Sequence, residues 1–145
     1  MAKSYKGLYK ATNPKKYVGD YNKIVYRSLL ERRFMRYCDL NDDIEYWASE
    51  ELAVRYFSPL DKKYHRYFPD FIIKTVKGKK FMIEIKPYRQ SLKPKLPKSG
   101  VKSKSFMRES FEYIKNQAKW GAAREYCDDH GMHFKIITEK ELGKY

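Results

Sequence analysis

The sequence predicts an α/β domain in which helices flank a mixed sheet. Three observations carry this expectation. Apolar runs of strand length at 67–73 and 81–87 stand either side of a polar turn at Gly78, as in a β-hairpin. Helical periodicity marks 26–38 before them and 106–129 after them. A last apolar run covers 132–137. The predicted order is helix, three strands, helix, strand, within a single domain of 145 residues.

Composition bounds the partners. The formal charge is +14, and aromatics make up 17% of the chain with 14 tyrosines. So many aromatics exclude a disordered basic tail and leave a folded domain that meets a polyanion. Nucleic acid comes first and an anionic membrane surface second. No stretch approaches the roughly 18 apolar residues of a membrane span, and the first residues lack a signal-peptide apolar region. Cys38 and Cys127 sit in helical patterns and read as reduced thiols of an intracellular protein. His65, His130 and His133 have no cysteine pair beside them, which removes a zinc finger.

Residues 1–23 are basic, tyrosine-rich and broken by Gly7, Pro14 and Gly19. They read as an arm that lies along the domain or grips phosphate, or else as a partly disordered tail. The first helix follows, with Leu30, Phe34, Tyr37 and Cys38 on one stripe. Glu31 lies at the edge of that stripe, and Ser28-x-x-Glu31 matches a capping box. Residues 39–51 then hold six acids and no base. Most of this is loop, although 44–48 has the character to begin a sheet. Glu50 and Glu51 read as a solvated turn rather than a second acidic rim.

Residues 52–57 read as a strand ended by Ser58-Pro59, and the hairpin follows. Pro69 removes a ladder donor and marks a strand edge or bulge. Residues 88–105 are a basic loop, with Pro94, Pro97 and Gly100 against regular structure. The second helix carries Met107, Phe111, Ile114, Ala118 and Ala122 as its apolar stripe, with Asn116, Lys119 and Trp120 on another face. Gly131 stops it. Thr138-Glu139-Lys140-Glu141 opens a short terminal helix with its own capping box.

The chemistry concentrates in the hairpin. Glu84 and Lys86 share one face of their strand, while Phe81, Ile83 and Ile85 take the other. Pairing would bring Asp70 to Glu84. Two carboxylates at one point repel unless a cation lies between them, and a hard divalent ion suits oxygen ligands. With a lysine two residues on, the set suits metal-assisted phosphodiester hydrolysis. The plain alternative is an edge strand with charges on its wet face. The basic loop follows Lys86 directly, where it would meet a phosphate backbone.

This order, with Glu31 on the first helix, Pro69-Asp70 on one strand and Glu84-x-Lys86 on the next, resembles the PD-(D/E)xK nuclease superfamily. The match extends through Lys16-Tyr17, Gly19-Asp20, Tyr26-Arg27-Ser28, Phe34-Met35, Trp47, Ser49-Glu50-Glu51, Arg66-Tyr67-Phe68, Asn116, Lys119-Trp120 and the run from Phe134 to Glu139. Over nearly the whole chain it is similar to the head-completion nucleases of myovirus-type tailed phages, which are related to the TnsA transposition endonuclease.

The resemblance implies a restriction-endonuclease-like core and a magnesium-dependent DNA endonuclease, with Mn²⁺ able to substitute. It implies that Asp70, Glu84, Glu31 and the Ile85 carbonyl serve the metal and that Lys86 assists the chemistry. Arg27, Arg89, Lys93, Lys95, Asn116 and Lys119 are the expected contacts to double-stranded DNA. Portal or neck proteins of the phage, a homodimer, and residence in the infected cell's cytoplasm or in the virion belong to the same expectation. A non-catalytic DNA-binding neck or head protein, or a Holliday-junction resolvase, would carry many of the same features.

Overall fold

The computed structural model describes residues 6–143. A four-stranded mixed sheet sits at its centre. The strands are β3 (Ile44–Ser49), β6 (Phe71–Thr75), β7 (Lys80–Ile85) and β8 (His133–Ile137), in the order β3-β6-β7-β8. The β3–β6 and β6–β7 pairs are antiparallel, and β7–β8 is parallel. The parallel pair needs a crossover, and α2 (Lys104–Asp129) supplies it.

Strand alternation splits the core in two. Ile83 and Ile85 point to one face and join Phe34, Met35 and Cys38 of α1 (Leu29–Leu40), Trp47, Phe71 and Leu142 of α3 (Glu139–Leu142). Met82 points to the other face, with Trp120, Ala123 and Cys127 of α2. Val54, Tyr56 and Tyr67 join that second cluster from a separate hairpin, β4 (Val54–Ser58) with β5 (Lys63–Tyr67). Both cysteines are free thiols in these interiors.

This corrects two strand assignments. The run at 52–57 does not enter the central sheet, and Tyr67 does not belong to the strand that carries Phe71. Strand formation stops between them because Pro69 removes a donor, so 54–58 closes on 63–67 instead. The third strand of the sheet before α2 is 44–49, where 44–48 has the character to begin a sheet.

The apolar line on α2 is also shifted. Its buried residues are Asn116, Trp120, Ala123 and Cys127, whereas Met107, Phe111 and Ile114 are exposed. A helix of 26 residues spans about 39 Å. Strands of five or six residues reach only about half that distance. The N-terminal half of α2 therefore overruns the sheet, and the helix turns its bulkiest residue, Trp120, inward where there is something to cover.

The expected arm is folded from residue 7 onward; residues 1–5 lie outside the described residues. Short strands β1 (Gly7–Leu8) and β2 (Val25–Tyr26) pair, and a 3-10 turn at Pro14–Lys16 leads to Tyr17, which bridges Trp47 on the edge of β3. The anchor is Asp39, fully buried at the end of α1. Its carboxylate accepts from the Tyr9 hydroxyl at 2.7 Å and from the amides of Thr12 at 2.7 Å and Asn13 at 2.9 Å. Part of the basic loop is ordered too, as a 3-10 turn at Tyr88–Ser91 whose first amide donates to Glu139.

Candidate active site

The end of the β6–β7 ladder builds the site. The last paired residues are Phe71 and Ile83, and continuing that register by one residue sets Asp70 opposite Glu84. Directly opposite residues share a face, which here is the face covered by α2 and the β4–β5 hairpin. Glu84 is only 7% exposed, among the side chains of the second core. Its Oε2 accepts from the Tyr67 hydroxyl, and the Ile85 amide donates to Asp70 Oδ2 at 2.8 Å. The amide of Lys86 turns the other way, to the Ile137 carbonyl at 3.0 Å. Along a strand, amide and carbonyl of one residue point the same way, so the Ile85 carbonyl faces Asp70 beyond the last ladder pair.

Electrostatics bind these groups together. Burial raises the Asp70 carboxyl well above its ordinary value, and the charges of Glu84 and Glu31 add to the rise. Burial raises Glu84 as well, opposed by the Tyr67 hydrogen bond and by the charges of Lys86 and Lys119. On α2, Lys119 is half-buried beside the rings of Tyr56 and Tyr67, at 5.9 and 5.6 Å from their centroids. Burial lowers its pKa, as do the neighbouring charges of Lys115 and Lys86, while Glu84 opposes that change. Two carboxylates that resist ionisation, with two lysines in electrostatic reach, form an arrangement common at catalytic centres.

Glu31 stands at the rim. Ser28 caps α1 by accepting from the Glu31 amide at 3.1 Å, as the capping pattern predicts. The Glu31 carboxylate reaches one residue beyond the cap and accepts from the Arg27 amide at 2.7 Å. Burial raises its pKa, the Arg27 amide holds it down, and the Glu50 charge raises it further. Among the described residues, no three acidic, histidine or cysteine side chains converge on one point as a ready metal cage. The register sets Asp70 opposite Glu84, while the Glu31 carboxylate stays on the Arg27 amide.

The expected DNA contacts divide. Lys93 and Lys95 are exposed on the basic loop, and Arg89 is exposed on the 3-10 turn before it. Asn116 differs from expectation: it lies on the buried line of α2 rather than an outer face, at 7% exposure. Arg27 is engaged, its Nη1 lying 2.5 Å from both carboxylate oxygens of Glu50. Glu50 in turn is held by its own amide, which donates to the Asp70 carbonyl at 3.1 Å, with φ at 53°. The supposed solvated turn is thus tied to the backbone of Asp70. Reading the sequence missed Tyr67 as well; its only signal is an aromatic hydroxyl at the end of a strand three residues before Asp70.

The α/β core thus carries paired acids and a lysine at one strand end. Residues 41–139 match the family described as TnsA-like endonuclease N terminal, and the chain belongs to that family. It is also 37% identical over 141 residues to the Head completion nuclease of Enterobacteria phage T4, covering 96% of this chain and 94% of that protein. The chain is a nuclease of this kind. The family match takes in Asp70, Glu84, Lys86 and Lys119, and begins after Glu31.

Proposed function

We propose that the chain is a metal-dependent DNA endonuclease of the PD-(D/E)xK type that acts in phage head completion, trimming DNA ends. The observation that carries this reading is the Asp70–Glu84 pair, held side by side at the end of β6 and β7 with both carboxyls pushed up by burial. Such a pair is costly unless a cation neutralises it.

The donors fit magnesium, which commonly takes one or two carboxylates and completes its shell with water and phosphate. Asp70 and Glu84 would hold the ion, with the Ile85 carbonyl as a third oxygen. When bound, it supplies Lewis-acid polarisation of the phosphodiester and an acidified water. Tyr67 holds one oxygen of Glu84 and orients the carboxylate. Lys86 stabilises the charge that develops on the phosphate, and Lys119 lies in electrostatic reach of both groups. Glu31 orients a water at the rim. Exposed cations on the loop bind the DNA backbone without reading sequence. The enzyme works in the infected cell's cytoplasm or in the virion, on heads whose portal or neck proteins are its neighbours.

The test is cleavage of linear and supercoiled duplex DNA with Mg²⁺, Mn²⁺ or EDTA, beside the Glu84→Ala variant. Metal-dependent cutting that disappears in the variant is expected. Tight, salt-sensitive binding with no cutting under any metal would instead favour a structural DNA-binding protein.

A further inference from the structure

We infer that the β4–β5 hairpin is a second DNA-engaging element, a ribbon that grips the duplex beside the carboxylate pair. The inference rests on the DNA-endonuclease reading and adds a surface to it. The register sets Arg55 directly opposite Arg66, and Phe57 opposite Tyr64. All four side chains are exposed, with Tyr64 at 60% and Phe57 at 47%, on the face turned away from the core residues Val54, Tyr56 and Tyr67. Like charges directly opposite on a sheet are unfavourable. Among the described residues neither arginine has an acidic partner. Lys62 and Lys63 add charge at the turn. The one acid of the ribbon, Asp61, is occupied by the His65 ring at 2.6 Å and the Lys63 amide at 3.1 Å.

Both guanidinium groups lie near aromatic rings, Arg55 at 4.1 Å from the Tyr64 centroid and Arg66 at 5.6 Å from that of Phe68. A stacked guanidinium is pre-oriented, and its N–H edge stays available to phosphate oxygens. The ribbon is rooted at the site: Tyr67 ends β5 and donates to Glu84. Five residues of strand reach about 16 Å from that root, close to five base-pair steps at about 3.4 Å each. A two-stranded ribbon also has dimensions that the major groove admits. A polyanion with phosphates on both sides of a groove complements paired arginines that no acid among the described residues neutralises.

The experiment is binding of the full chain to a labelled blunt duplex in EDTA, followed by anisotropy over a salt series. Wild type should bind, with affinity falling steeply as salt rises. Arg55→Gln/Arg66→Gln should bind more weakly, with the log–log salt slope smaller by about 2, and its melting temperature should hold or rise because an opposed pair is removed. Lys77→Gln/Lys79→Gln removes equal charge at the far β6–β7 turn and should change the slope much less. Equal slope changes in the two double variants, or none in either, would sink the ribbon and leave the nuclease reading standing. A lower melting temperature for the arginine variant would make the arginines structural and overturn the inference. An effect confined to single-stranded DNA would overturn the duplex assignment. No DNA binding by wild type would defeat the endonuclease reading itself.

Discussion

At Asp70 and Glu84, protonation and stability are linked. Their folded pKa values lie above the ordinary 3.8 and 4.5, with burial the main cause. The folded state therefore holds protons that the unfolded state has released, and stability falls as pH rises above the ordinary carboxylate range. In EDTA the melting temperature should decline from that range toward neutral pH. Asp70→Asn should flatten the decline and be the more stable protein at pH 7, while losing cleavage. A melting curve of Asp70→Asn that tracks wild type at every pH would refute the coupling. Tyr67→Phe leaves a buried Glu84 oxygen short of a donor, at a cost of about 1–3 kcal/mol. Denaturant unfolding should read that loss, with a lower kcat for cleavage.

At the scale of elements, α1 and the N-terminal segment depend on single side chains. Ser28→Ala should cost about 1 kcal/mol by removing the helix cap. Glu31→Gln keeps an oxygen that can accept the Arg27 amide, so stability should hold. If cleavage drops while the melting temperature stays, Glu31 serves the chemistry; if cleavage is normal, its work is confined to the helix start. Asp39→Ala removes the buried acceptor shared by the Tyr9 hydroxyl and the amides of Thr12 and Asn13, and frees the segment that covers the edge of β3. A loss of about 3 kcal/mol is expected by urea unfolding, together with faster proteolysis of residues 9–17.

Over the whole molecule, a charge of +14 and an electrically crowded strand end act together. The logarithm of DNA affinity should fall linearly with log salt, by a slope near 0.9 for each phosphate neutralised. Neutralising Lys93 and Lys95 should reduce that slope and weaken binding across sequences alike, because such contacts carry no base information. No helix among the described residues is long and apolar enough to cross a membrane.

What the sequence determined by itself was local. Alternation along 81–85 placed Glu84 opposite in sense to Ile83 and Ile85, and spacing within the helices located Ser28, Phe34 and the Thr138 capping box, which the structure contains. Asp70 was legible because a charge inside an apolar hairpin stands out. The tertiary structure decided what depends on partners distant in the chain. Only a sheet can show that 44–49 pairs with 71–75 while 54–58 closes on 63–67, because period-2 patterns name a strand and not its neighbour. Only the limited length of that sheet could choose Trp120 over Phe111 for burial on α2. Tyr67 on Glu84, Arg27 on Glu50 and Asp39 beneath the N-terminal segment are contacts across 17 to 30 residues. Such contacts leave no periodicity in the sequence, since what selects them is the desolvation of buried polar groups, which exists only once the chain has folded around them.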